Sequence, residues 1–262
     1  MSILKKILQQ KEKEVWRRKK EVPYRHLEKR AAFDRTLVSL TERLLTPASS
    51  GIIAEFKRSS PSKGVIHEDA RVAEIVTGYE VAGAAGISVL TDTPFFRGSD
   101  HDLEEARDHT SLPLLRKDFI IDEYQIVEAR SLGADVILLI AAVLEKEKIK
   151  TFTRLAGELQ MEVLFEIHEL LELIKMPEAP VLVGVNNRDL KTFEVSLARA
   201  VEAASIIPGD RVKVAESGLQ DPESIRFLRE HGYRGFLIGE TFMKEKDPGE
   251  ACRDFIEKIP QT

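Results

Sequence analysis

The sequence predicts a (β/α)8 barrel preceded by an N-terminal helical extension. Two observations predict it. After residue 50, eight short runs rich in Val, Ile and Leu, each too short for a buried helix, alternate with helix-like stretches. No Pro-rich linker or low-complexity segment interrupts that alternation. Residues 51–262 are therefore expected to form one barrel domain, with residues 1–50 as an extension packed on it. A doubly wound open sheet is the competing architecture, and the absence of a domain break favours the barrel.

The elements follow in order. Ile3, Leu4, Ile7, Leu8, Val15 and Trp16 recur at near-helical spacing, which predicts an amphipathic helix laid on the body. Gly51–Lys57 reads as the first strand, with a helix over Ala70–Ala84 behind it. Ile87–Asp92 and Leu112–Phe119 are the second and third strands, and a helix over Asp122–Leu132 follows. Asp135–Ala142 leads into a helix over Lys146–Leu159. Glu162–His168 and Val181–Asp189 are the fifth and sixth strands. Arg211–Gly218 precedes a helix over Pro222–Glu230, and Gly235–Glu240 closes the series. Gly86, Gly133 and Gly232 stand just before strands, where a helix ends in a left-handed residue.

Composition narrows the function classes. Hydrophobic residues at 43% and charged residues at 32% suit a globular chain that buries a core. No apolar run reaches the roughly 18–20 residues of a membrane-spanning helix, and the first residues lack the pattern of a signal peptide. The single cysteine, Cys252, excludes an intramolecular disulfide and a cysteine zinc cluster. A cytoplasmic enzyme is expected. The net charge of −5 is unevenly spread, because residues 1–30 hold 11 Lys and Arg against 4 Glu. A basic arm can serve nucleic acid or steer an anionic substrate, but the helical spacing of its apolar residues favours packing on the body. Neither nucleic acid nor membrane is expected as a partner.

In a (β/α)8 barrel, chemistry sits at the C-terminal strand ends. The first strand offers Glu55 and Lys57, the third Lys117 and Asp118, and the fifth Glu166 and His168. The sixth offers Asn186, Asn187, Arg188 and Asp189, and the seventh Glu216 and Ser217. Side chains alternate along a strand, so Glu55 and Lys57 share a face. One such pair alone reads as a structural ion pair. Three glutamates, two lysines, an arginine and an asparagine on one rim read as a site for proton transfer. His168 alone reads as a structural hydrogen-bonding residue. There is no HExxH motif or histidine cluster, and the acids are matched by bases, so neither metal nor cofactor is expected.

Glu216-Ser217-Gly218 and Ile238-Gly239-Glu240 close the last two strands, where exposed backbone N–H groups form the usual phosphate cradle of this fold. Ser60, Pro61 and Ser62 lie in a loop near the same rim and can add a hydroxyl. Glu240 suits a phosphate poorly, so only its N–H is expected to serve, with the side chain turned away. Phe96, Phe119, Leu138 and Pro61 supply an apolar wall, and Phe96 is notable for standing in a loop.

The runs IIAEFKRSSPSKG, SVLTDTPFFRGS, PLLRKDFIIDEYQI, LFEIH, GVNNRDLKTFEV, VAESG and FLIGETFM stand in this order at barrel spacing. Together they resemble the indole-3-glycerol phosphate synthase family of tryptophan biosynthesis, over nearly the whole chain. The resemblance implies ring closure, decarboxylation and dehydration of 1-(2-carboxyphenylamino)-1-deoxyribulose 5-phosphate. It implies Lys117 as the general acid of ring closure and Glu166 as the carboxylate acid/base. Lys57 would hold the substrate carboxylate and assist dehydration, with Glu55 tuning both. Asn186 and Glu216 would orient hydroxyls and developing charge, and Arg188 would face the anthranilate carboxylate. The phosphate falls to Ser60, Gly218, Gly239 and the N–H of Glu240, with Ser217 nearby. Phe96, Phe119 and Leu138 would enclose the aromatic ring. The implied partner is the phosphorylated small molecule alone, taken by a monomer, with weak association with other enzymes of the pathway left open. One departure is visible: several relatives carry Ser or Thr where this chain has Glu240.

Two rivals fare worse. The phosphoribosylanthranilate isomerase family uses a cysteine and an aspartate, with the cysteine at the end of strand one. Here that strand ends in Glu55 and Lys57, and Cys252 falls in the C-terminal helix. A catalytically dead barrel using its basic arm on RNA is opposed by the intact acid–base rim.

Overall fold

The computed structural model describes residues 3–189 and 194–259. Residues 190–193, the LKTF of the GVNNRDLKTFEV run, lie outside the described residues. Eight parallel strands close into a barrel in which each pairs with its chain neighbour and the last pairs with the first. They are β1 (Ile52–Phe56), β2 (Gly86–Leu90), β3 (Leu114–Lys117), β4 (Val136–Ile140), β5 (Glu162–Ile167), β6 (Leu182–Asn186), β7 (Lys213–Glu216) and β8 (Tyr233–Ile238). A two-residue antiparallel ribbon, Ser59–Ser60 against Gly64–Val65, follows β1.

The strands are short and β-branched-rich because both faces are covered. Outward residues such as Ile52, Ala54, Phe56, Ile87 and Val89 join one core with the surrounding helices. Inward residues form a second cluster that fills the barrel. In the odd strands the interior changes character within two residues. Ile53, Leu115, Leu164 and Val214 are apolar; one pleat further along stand Glu55, Lys117, Glu166 and Glu216. Alternate strands supply one layer of side chains in such a barrel, so a hydrophobic layer is followed directly by a charged one.

Helix α1 (Ile3–Glu21) lies on the barrel with Ile7, Lys11 and Val15 buried. The expected stripe needs one correction: Trp16 is 63% exposed and stacks under the ammonium of Lys20. Helix α2 (Leu40–Leu45) closes the opposite end, sending Leu40 and Leu44 into the inner cluster. A Cβ on Gly86 would stand 2.7 Å from Leu40 Cδ1, and one on Gly235 would stand 3.1 Å from Leu44 Cδ1. Gly86 is therefore a spacer for this plug. The left-handed residue before β2 is Gly83, at φ 89°, whereas Gly133 and Gly232 are left-handed as expected.

The outer ring is α3 (Val72–Val81), α4 (Asp100–His109), α5 (Glu123–Ser131), α6 (Lys146–Glu158), α7 (Ala198–Ile206), α8 (Pro222–Glu230) and α9 (Pro248–Glu257). After β5 a 3-10 turn, Leu170–Lys175, stands where a helix would be, started by a Glu169–Glu172 capping box. The following Met176-Pro177 prevents its extension.

Candidate active site

A cavity of about 410 Å3 opens at the C-terminal strand ends, and every residue to which the family resemblance gives a role lies on its wall, whereas Asn187 and Asp189, offered by the same strand end as Asn186, do not. Lys117 stands at its base. Its Nζ lies 2.8 Å from Glu166 Oε2 and 2.5 Å from Glu216 Oε2. The other oxygen of Glu166 meets His168 Nε2 at 2.7 Å. Lys57 Nζ donates to Glu55 Oε1 at 2.6 Å.

Burial disfavours the Lys117 ammonium, but Glu166, Glu216 and Glu55 outweigh it and hold the proton above the usual lysine range. Burial also works against the Glu166 anion, yet Lys117 and His168 hold that carboxyl well below its ordinary value. Glu216 goes the other way: burial, then the charge on Glu166, push it up to about 8 despite Lys117. Desolvation opposes the His168 imidazolium, and Glu166 overrides it to raise that group. Near neutral pH the cluster therefore holds an ammonium, one carboxylate and one carboxylic acid. Proton donor and proton acceptor coexist because their environments differ.

Two glycines make room for these carboxylates. A Cβ on Gly184 would fall 2.3 Å from Glu216 Oε1, and one on Gly239 would fall 2.5 Å from Glu55 Oε1. Asn186, at the end of β6, accepts the Arg188 N–H at 3.1 Å. Asn187 is buried and binds the Ser217 carbonyl from its Nδ2 at 3.2 Å, joining the ends of β6 and β7.

At the far side, Ser217 and Gly218 are consecutive left-handed residues, at φ 68° and 77°. Gly218 is obligatory, since its Cβ would fall 2.1 Å from Val195 Cγ1. Gly239 precedes the short helix Glu240–Met243, and Ser60 Oγ lies 3.4 Å from Ser62 Oγ on the ribbon. The Glu240 side chain was expected to turn away. Instead it lines the cavity, 3.2 Å from Lys63 Nζ and 3.9 Å from Arg188 Nη2, because two cations draw it there.

The apolar wall is Phe96 and Phe119, with ring centroids 6.2 Å apart. Phe96 belongs to a single-turn helix, Thr93–Phe96, and Leu138 lies deeper, in the barrel cluster. Sequence reading missed the roof, Ile3, Leu4 and Ile7 of α1. It also missed Lys11, 1% exposed, whose Nζ lies 2.8 Å from Asp118, 3.1 Å from Asp92 and 3.1 Å from Glu14. The signal was present: Lys11 sits midway between Ile7 and Val15, at helical spacing on the buried stripe.

β3 shows why Lys117 is so well held. Arg116 and Asp118 flank it on the opposite face of the strand. Buried Arg116 binds Glu128 at 2.8 Å and Asp100 at 2.9 Å. Arg18 of α1 pairs with the same two acids.

A (β/α)8 barrel with a lysine between two unlike carboxyls, an aromatic wall and a glycine-lined polar end defines an acid–base enzyme for a small molecule. Residues 4–255 match the family model of indole-3-glycerol phosphate synthase. An indole-3-glycerol phosphate synthase of Bacteroides thetaiotaomicron is 50% identical over 218 residues, 83% of this chain and 84% of that protein. The chain belongs to the indole-3-glycerol phosphate synthase family. It is a carboxy-lyase of tryptophan biosynthesis acting on a phosphorylated small molecule. Among solved structures, 3-hexulose-6-phosphate synthase from Salmonella typhimurium has a TM-score of 0.61 at 12% identity, covering 79% of this chain and 97% of that one. Thiamine phosphate pyrophosphorylase from Pyrococcus furiosus has a TM-score of 0.56 at 14% identity, covering 79% and 95%. At these identities the likeness is of fold. Among the described residues no helix is long and apolar enough to cross a membrane.

Proposed function

We propose that Lys117 is the general acid of ring closure on 1-(2-carboxyphenylamino)-1-deoxyribulose 5-phosphate. The ring carbon bearing the carboxylate attacks the ribulose carbonyl, and the Lys117 proton passes to the developing alkoxide. An alkoxide is a stronger base than any lysine, so the transfer runs downhill even with the Lys117 proton held tightly. Glu216, protonated near neutral pH and 2.5 Å away, returns a proton to Lys117. Loss of carbon dioxide leaves its bonding electrons in the ring.

Dehydration then needs an acid at the departing hydroxyl and a base for a substrate proton. Glu166, held as a carboxylate, serves as the base. Lys57 first holds the substrate carboxylate and afterwards donates toward the hydroxyl, with Glu55 at 2.6 Å setting its position. Asn186 orients the sugar hydroxyls and Arg188 faces the carboxylate. Ser60, Ser217, Gly218, Gly239 and the N–H of Glu240 take the phosphate. Phe96 and Phe119 enclose the ring, with Leu138 below.

The observation that carries this reading is Lys117 Nζ held between the side chains of Glu166 and Glu216 inside one layer of the barrel. Turnover of the carboxyphenylamino substrate, followed by indole fluorescence, tests it; absence of product at high enzyme concentration contradicts it. The same reading treats residues 1–50 as an extension of a single domain, in a monomer working in the cytoplasm. Sedimentation at micromolar concentration checks the monomer.

A further inference from the structure

We infer that Lys11 is a positioning residue that sets the spacing of the aromatic pair Phe96 and Phe119, and thereby the enzyme's grip on the aromatic ring of its substrate. The inference rests on the assignment of those rings to substrate binding.

The two rings hang from two carboxylates. Asp92 accepts the Phe95 N–H at 2.9 Å and so caps the short helix that presents Phe96. Asp118 accepts the Phe119 N–H at 2.7 Å, and Thr91 Oγ1 donates to its other oxygen at 2.6 Å. The loops after β2 and β3 are thus each fixed by one aspartate, and both aspartates are buried. Two buried carboxylates that face one cation repel one another and are costly to desolvate. Lys11 Nζ lies between them, 3.1 Å from Asp92 and 2.8 Å from Asp118. Desolvation works against its charge, yet Asp118 and Asp92 hold its proton above the ordinary lysine range. Asp118, opposed by burial, is in turn kept ionised by Lys11 and Arg116.

Lys11 has no place in the reacting layer. It lies on the buried face of α1, one turn beyond Ile7, which roofs the cavity. Removing its charge leaves the proton-transfer groups untouched and frees the two capped loops to move apart. The consequence falls on ring binding, not on the chemical step.

The test compares the unsubstituted enzyme with Lys11→Met, which keeps the length and packing of the stem. Val15→Ala serves as a control that loosens the same helix face without touching the carboxylates. Steady-state turnover is measured with titrations of 2-aminobenzoate and of inorganic phosphate. The expected result for Lys11→Met is a rise of about 3–10-fold in KM and in the Kd of 2-aminobenzoate, the scale of a lost aromatic contact. Phosphate affinity and kcat change less than about twofold, and Val15→Ala reproduces neither rise. Equal loss for both ligands, an effect on kcat alone, the same shift in Val15→Ala, no shift in Lys11→Met, or no 2-aminobenzoate binding to the unsubstituted enzyme overturns the inference. Failure of the unsubstituted enzyme to turn over the substrate counts against the assigned chemistry instead, because the 2-aminobenzoate titrations need no turnover.

Discussion

Glu216 Oε2 accepts a hydrogen bond from Lys117 Nζ inside the charged layer of the barrel. The two groups lie 2.5 Å apart, and burial next to the Glu166 charge pushes the Glu216 carboxyl up to about 8. An acid that close to a lysine can restore the lysine's proton in each catalytic cycle, which gives the pair a measurable pH signature.

Turnover should fall as pH rises through about 8, where Glu216 loses its proton. Stability follows the same sign. The carboxyl in the unfolded chain keeps its ordinary value of 4.5, so the folded protein binds more protons between 4.5 and about 8. The contribution of Glu216 is complete below that window and is lost as pH climbs through it. Glu216→Gln should flatten both the alkaline limb of kcat and this part of the unfolding profile. A substituted enzyme with both profiles intact would remove Glu216 from its role.

Gly184→Ala should separate activity from stability. The new Cβ would fall 2.3 Å from Glu216 Oε1, the far end of a flexible side chain that can swing aside. Stability should fall by no more than about 1–3 kcal/mol, as for modest overpacking. Turnover should drop by at least about 10-fold, since Glu216 leaves Lys117. Thermal melts and kinetics on the same preparation check this, and full activity would mean that Glu216 tolerates displacement.

Leu40→Ala should do the reverse. Leu40 is 1% exposed and fills the closed end of the barrel, where Gly86 leaves it space. Truncating it should cost about 2–5 kcal/mol of unfolding free energy, the range for a buried leucine replaced by alanine. Its distance along the strands from the charged layer leaves kcat unchanged at temperatures where the variant is folded. Denaturant melts measure the first quantity and steady-state assays the second.

The barrel was legible because its strands announce themselves as short runs rich in Val, Ile and Leu, whose successive side chains point to opposite faces. That alternation also exposed the charged layer: Ile53 to Glu55 and Leu115 to Lys117 are one pleat apart, and a charge after a core residue on the same face is readable. What stayed hidden depends on partners remote in the chain. Lys11 reads as one more charge on a basic arm until Asp92 and Asp118, far along the sequence, are brought beside it. Gly184 and Gly239 read as strand or turn glycines, because the carboxylates they accommodate belong to neighbouring strands. Gly86 reads as a helix end because its role is set by Leu40, and the Glu240 side chain turns toward the cavity because Lys63 and Arg188, remote in the chain, attract it. Propensity and periodicity are local, whereas ion pairing and close approach are not.

The central claim is that Lys117, poised between Glu166 and Glu216, protonates the alkoxide formed in ring closure. The most direct measurement is single-turnover conversion of 1-(2-carboxyphenylamino)-1-deoxyribulose 5-phosphate by the unsubstituted enzyme and by Lys117→Met, followed by indole fluorescence with melts confirming that both are folded. The unsubstituted enzyme should form product, and the folded Lys117→Met variant should form it at least about 10²-fold more slowly, the scale of lost general-acid catalysis. A folded Lys117→Met enzyme turning over at a near-normal rate would contradict the claim.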